Sequence, residues 1–116
     1  FIDTKKKDLS CFKNSIIKLN EIESLKSYNL NSSSQIITTL GAKGCKFNNV
    51  IYPSTPVEVH DVCGAGDVFL AALVVRWLET KDMISSIKTA NNCAALSVTK
   101  LGCYTIEREE YENLRI

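Results

Sequence analysis

The chain has 116 residues, 45% hydrophobic and 23% charged, with a net charge of +1, the balance of one ordered globular unit. A near-neutral charge argues against nucleic-acid or membrane-surface binding, and no apolar run approaches the ~20 residues that span a bilayer. Five cysteines, odd in number and without C-x-x-C spacing, predict reduced, mostly buried thiols in a cytoplasmic protein, not a zinc site or a disulfide framework.

Residues 1–4 read as the end of a strand. Phe1 is not an initiator Met and the only methionine is Met83, so the chain is expected to be a piece of a longer protein. Lys5-Lys6-Lys7-Asp8 is a solvated loop. Residues 16–19 form a second strand that runs into a helix from Asn20 to about Tyr28. Asn31-Ser32-Ser33-Ser34 is a loop with capping character. The β-branched run 35–40, bounded by Gly41, predicts a buried strand. Residues 43–47 and 50–52 predict a hairpin turning at Asn48-Asn49. After Pro53 and Pro56, residues 57–59 predict a short strand. From Asp67 to about Glu79 a helix carries apolar residues around most of its circumference, which predicts burial on more than one side, with Trp77 in the core. Residues 83–100 form another helix with Ile84, Ile87, Ala90, Ala94, Ala95 and Val98 on one broad face, and Gly102 is placed at its C′ position. Residues 105–116 form a short polar helix. Strands alternating with helices predict an α/β sandwich with a largely parallel sheet.

The most informative stretch is His60-Asp61-Val62-Cys63-Gly64-Ala65-Gly66-Asp67-Val68-Phe69. Two glycines permit a tight turn in which several N–H groups converge, and the helix N-terminus adds roughly half a positive charge there. Asp67, in the first turn, lies where a carboxylate can take a proton from a hydroxyl attacking a phosphate. An anion hole beside a general base suits phosphoryl transfer. Cys63 is read as a small buried filler and His60 as a strand-end residue.

Asp61 to Asp67 resembles the D-T-x-G-A-G-D signature of the ribokinase / phosphofructokinase-B family of carbohydrate kinases, with Val62 and Val68 in place of the usual threonines. Three further words follow the family's order. Lys18-Leu19-Asn20-Glu21-Ile22-Glu23 is similar to K-P-N-x-x-E, with Leu19 for Pro. Thr38-Thr39-Leu40-Gly41-Ala42-Lys43-Gly44 resembles T-x-G-x-x-G, and Ala90-Asn91-Asn92-Cys93-Ala94-Ala95 falls where the family lines its adenine pocket. Read from the residues alone, Asn20 is a helix cap with Glu23 a solvated first-turn acid, Gly41 and Gly44 are an ordinary turn, and the small residues about Asn91 serve helix packing.

The resemblance implies a ribokinase-like three-layer sandwich, of which residues 1–116 are the C-terminal nucleotide-binding and catalytic part. It implies ATP-dependent phosphorylation of a sugar or sugar phosphate, with Asp67 as general base and the Gly64, Ala65 and Gly66 N–H groups on the moving phosphoryl group. Asn20, Thr39, Gly41, Gly44 and Asn91 would hold the nucleotide, and Glu23 would order the waters of a Mg²⁺ ion. Asp61 would bind a monovalent cation such as K⁺, or else stabilise its own loop. The runs 1–6 and 69–75 look most like bacterial heptose-7-phosphate kinases of ADP-heptose synthesis. The intact protein could be a homodimer, with no nucleic-acid or membrane partner. The rival readings are a purine-nucleotide-binding module without turnover and an inactive fragment lacking the sugar-binding half.

Overall fold

A computed structural model describes residues 1–116, which divide into two compact units, Phe1–Tyr52 and Pro53–Ile116. The first unit holds all the strands: β1 (Ile2–Asp3), β2 (Ile16–Asn20), β3 (Gln35–Thr39), β4 (Cys45–Phe47) and β5 (Val50–Tyr52), with helix α1 (Glu21–Lys26) between β2 and β3. They form one sheet in the order β1-β2-β3-β4-β5. The first three strands are parallel, and β4 and β5 add to them as an antiparallel hairpin. The sheet is therefore mixed, parallel where the β2–α1–β3 crossover returns the chain in the same direction.

The period of two along β2 assigns its faces. Ile17 and Leu19 are fully buried and cluster with the equally buried Leu9, with Ile2, Phe12 and Ile36 packed against them. Lys18 points the other way, and its ammonium lies 3.6 Å from Asp3, its register partner on β1. Leu9 enters this core from a polar loop because two backbone bonds pin that loop to the chain after α1, Leu9 N–H to Tyr28 O (3.0 Å) and Tyr28 N–H to Lys7 O (2.8 Å). The hairpin turns at Asn48 and Asn49, both left-handed (φ 50° and 63°), the conformation that asparagine tolerates and a two-residue loop requires.

The second unit is helical: α2 (Ala65–Thr80), α3 (Met83–Val98) and α4 (Arg108–Leu114). Helices α2 and α3 form a hairpin that buries Phe69, Ala72 and Leu73 from α2 and Ile87, Ala90, Cys93 and Ala95 from α3. Lys81 makes the turn in a left-handed conformation, and the Asp82 carboxylate caps α3 by accepting from Ile84 N–H (3.0 Å) and Ser85 N–H (3.4 Å). Buried Ser86 and Ser97 return their hydroxyls to backbone oxygens of Asp82 (2.7 Å) and Ala94 (2.8 Å), which satisfies them without outside partners. The last residues dock on both helices. Arg76 donates twice to Ile116 O (2.9 and 2.7 Å), Asn92 donates to Leu114 O (3.0 Å), and Ile116 N–H donates to the Thr89 hydroxyl (2.9 Å).

Four expectations change. Residues 57–59 form no strand and are solvent-exposed, because an isolated extended segment without a ladder partner has nothing to hold it. Helix α1 ends at Lys26, where Ser27 donates its N–H and hydroxyl to Ser24 O (3.3 and 2.7 Å). Helix α2 buries one side only: Val75 and Leu78 are exposed and Trp77 is half-buried. Gly102 is left-handed (φ 75°), but it lies beyond the true C-cap, Thr99, and its N–H is used elsewhere.

Candidate active site

The second unit builds one group of predicted residues around the start of α2. The segment leading to α2 is tied to the end of α3, since the N–H groups of His60 and Asp61 both donate to Val98 O (2.7 and 3.1 Å). Asp61 then organises two loops with its two carboxylate oxygens. Oδ1 accepts from Cys63 N–H (2.9 Å) and Oδ2 from Gly102 N–H (3.1 Å). Of the two readings of Asp61, loop stabilisation is thus built into the geometry. Gly64 turns left-handed (φ 73°) as the N-cap of α2, and a Cβ there would lie 3.4 Å from Cys103 Sγ. It is the left-handed backbone that favours glycine, since a Cβ at that distance would make an ordinary van der Waals contact.

Side chains cap the starts of α1 and α3, but no side chain caps α2. Ala65 N–H finds Val62 O at 3.2 Å. A helix start without a side-chain cap, following a left-handed glycine, keeps its positive end directed at whatever lies in front of it. Asp67 stands in this turn, exposed, and lines a cavity of about 860 Å³ within the second unit. Ala71 and Val75 continue its face of α2 at intervals of four residues, and Cys103, Ile106 and Tyr111 form the opposite wall. Asn91 is buried, 5% exposed, and is not among the residues lining this cavity.

The cysteine expectation is corrected here. Cys63 and Cys103 form a disulfide, with Cα atoms 5.0 Å apart, and both are solvent-exposed. Forty residues separate them, and only the α2–α3 hairpin brings them together, a proximity that no local spacing announces. Cys63 is therefore not a buried filler. Cys45 and Cys93 are the buried thiols, and burial pushes Cys93 up to about 11.

The cavity wall was equally silent in sequence. At its far end Glu79 accepts from the Tyr111 hydroxyl, from Arg76 Nη1 (3.3 Å) and from Arg115 Nη1 (3.5 Å). The Tyr111 hydrogen bond, followed by the two guanidinium groups, holds the Glu79 carboxyl below its ordinary range. Burial, then the bond to Glu79, pushes the Tyr111 phenol up to about 12. The usable signal is the spacing of Ala71 and Val75 at four-residue steps from Asp67.

The first unit holds the remaining predicted residues. Asn20 caps α1 through Oδ1, accepting from Glu23 N–H (2.8 Å), while Glu23 Oε1 accepts from Asn20 N–H (2.9 Å). This reciprocal capping box occupies one oxygen of each side chain. Thr39 ends β3 with its hydroxyl 3.4 Å from Leu19 O. A 3₁₀ turn, Gly41–Lys43, follows, and Gly41 and Gly44 both have positive φ (61° and 96°). Gly44 N–H donates to Gly41 O (3.1 Å), and Leu40 N–H donates to Gly44 O (2.8 Å). Around Gly41 a Cβ would meet no atom within 4 Å, so it is the left-handed backbone that favours glycine there. No group of three or more acidic, histidine or cysteine side chains could hold a metal ion directly, and no helix is long and apolar enough to cross a membrane.

Comparison with known proteins bears on these arrangements. Residues 9–110 match the model of the pfkB family carbohydrate kinases. The ribokinase of Bacillus subtilis is 39% identical over 72 residues, covering 59% of this chain and 25% of that protein. The bifunctional protein HldE of Campylobacter curvus is 44% identical over 64 residues, covering 55% of this chain and 14% of that protein. Among solved structures, an Escherichia coli ribokinase II in complex with ATP and Mg²⁺ superposes with a TM-score of 0.72 at 26% identity, over 85% of this chain and 38% of that one. The chain thus spans a quarter or less of the two relatives and under half of the solved structure. The fold is the ribokinase-like α/β fold, and the chain belongs to the pfkB family of carbohydrate kinases.

Proposed function

We propose that this chain is the nucleotide-binding and proton-accepting part of an ATP-dependent kinase that phosphorylates a sugar or sugar phosphate. The observation that carries the reading is the start of α2, where Gly64 turns left-handed, no side chain caps the helix, and Asp67 lines the adjoining cavity. In this reading Asp67 accepts the proton of the attacking sugar hydroxyl as the oxygen bonds to the γ-phosphorus of ATP. The N–H groups of Gly64 and Gly66, with that of Ala65 once it leaves Val62 O, hold the charge that accumulates on the transferring phosphoryl group, aided by the positive helix end. The carboxylate does not compete with that anion for the same donors, because it stands on a side chain three residues into the helix.

Asn20, Thr39, Gly41, Gly44 and Asn91 are assigned to the nucleotide by their match to the family's motifs. Glu23 fits a role toward Mg²⁺ through water, since its Oε2 is not the oxygen spent on the capping box and Mg²⁺ retains several waters when it binds. When bound, Mg²⁺ supplies positive charge to the phosphates. Asp61 is assigned to the loop and, through its remaining lone pairs, to a monovalent cation such as K⁺. A heptose 7-phosphate is the first acceptor to test, on the likeness of residues 69–75 to heptose kinases and of the chain to HldE proteins. The deciding experiment is calorimetric titration with Mg·ATP followed by phosphoryl-transfer assays of the intact protein on a panel of sugars and sugar phosphates. Mg·ATP binding with transfer to one acceptor is expected. Binding with no transfer to any acceptor would make this a nucleotide-binding module, and no binding by folded protein would overturn the reading.

A further inference from the structure

Three of the five cysteines are accounted for by their surroundings. Cys45 and Cys93 are buried, and Cys11 is exposed and unpaired. Cys63 and Cys103 differ from all three, being exposed and joined to each other. Their positions matter more than the bond itself. Cys63 immediately precedes Gly64, the left-handed residue on which α2 begins, and Cys103 immediately follows Gly102, whose N–H is held by Asp61. The two loops meet without the disulfide, through Asp61 Oδ2 and Gly102 N–H at 3.1 Å and through His60 and Asp61 on Val98 O. Both thiols of the reduced chain are therefore kept near each other, and both are open to reagents in solution.

We propose that Cys63 and Cys103 form a reversible thiol–disulfide switch that sets the rigidity of the Gly64–Asp67 turn. The oxidant is a low-molecular-weight disulfide of the glutathione class. One protein thiolate attacks its S–S bond, forms a mixed disulfide and releases one small thiol. The second protein thiolate attacks the sulfur of the first cysteine and releases the other small thiol. The two cysteines lose two protons and two electrons in all, and the small disulfide is reduced to two thiols. Closed, the bond fixes the residue before Gly64 to the wall of the cavity that Asp67 lines. Opened, the turn keeps only its hydrogen bonds. The inference goes beyond the kinase reading and does not depend on what the turn binds.

The test is made on the full chain, equilibrated in oxidised glutathione or in dithiothreitol and then treated with iodoacetamide. After oxidation, peptides containing Cys63 and Cys103 are expected linked and unlabelled, with Cys11, which has no second thiol to resolve it, recovered as its glutathione adduct. After reduction, all three are labelled and buried Cys93 is not. Amide hydrogen exchange over residues 63–67 is expected to be at least about tenfold slower in the oxidised chain. Cys103→Ser should exchange at the reduced rate in both buffers, and the wild-type comparison stands alone if that variant does not fold. Recovery of Cys63 and Cys103 only as separate glutathione adducts, or equal exchange in linked and reduced chains, overturns the proposal. A chain that shows the exchange difference yet binds no Mg·ATP in either state supports the switch while removing the kinase reading.

Discussion

The starts of α1 and α2 show two uses of the same piece of backbone. Both lie within words that resemble a kinase motif. At α1 the side chains answer the helix: Asn20 and Glu23 close on each other in a capping box. At α2 they do not; a left-handed glycine leads in and no side chain accepts from the first-turn donors. One helix end is finished by its own sequence, and the other is left for something outside it. The difference teaches that an uncapped end is informative only beside capped ones in the same molecule, since the chain evidently can supply caps where it needs them.

The hardest blow to this contrast would fall at Asp67. Asp67→Asn in the intact enzyme should lower kcat by about 10²–10⁴-fold, with Mg·ATP affinity within about twofold, as read by steady-state kinetics and calorimetry. A kcat within a few-fold of wild type would remove the general-base role and leave α2 as an anion site alone. Next in size is Cys103→Ser. Opening a ring of this length costs about 4 kcal/mol by the loop-entropy relation, so chemical denaturation without reductant should show a loss approaching that, and dithiothreitol should erase the gap between variant and wild type. Gly64→Ala forces a Cβ into the left-handed region beside Cys103, for about 1–2 kcal/mol. It should weaken phosphate binding and stability together.

Asn20→Ala removes a cap worth about 1 kcal/mol. If Asn20 also touches the nucleotide, Mg·ATP affinity will fall further than helix stability explains; if it only caps, affinity will not move. The smallest effect is that of pH on the α4 anchor. Glu79 is held below its ordinary value of 4.5, so the stability it adds is present above that value and fades as pH falls beneath it. Tyr111, raised to about 12 from 10.0, adds stability that is present below 10 and fades as pH climbs toward 12. Docking of residues 108–116, followed by tyrosine fluorescence, should loosen at both extremes and hold between them.

Much of this was legible in the chain. The strand at residues 16–19, the Asn48-Asn49 turn and the placement of Asp67 in a first helical turn all rest on local chemistry, and local chemistry is what a sequence records. Residues 57–59 misled because β-branched alternation describes a candidate strand, whereas a strand exists only once a neighbour offers a ladder. The apolar circumference of α2 misled in the same way: an apolar helix face can line a cavity as readily as a core. The pairing of Cys63 with Cys103 depends on where two helices return, which a count of cysteines and their spacing cannot carry. The roles of Asn20, Thr39 and Asn91 toward a ligand rest on their motifs, and Asn20 and Thr39 also have local partners, Glu23 N–H and Leu19 O, against which those roles can be weighed.

The link between Cys63 and Cys103 encloses all of α2 and α3 in one closed loop. Seen mechanically, those helices lie off the tensile path. Pulled from its ends, the oxidised chain would carry force across the sulfur bridge and leave the hairpin slack. A separation of 40 residues hides roughly 140 Å of contour length at full extension. A single molecule stretched before and after reductant would lengthen by about that much, a mechanical readout of which state the chain was in.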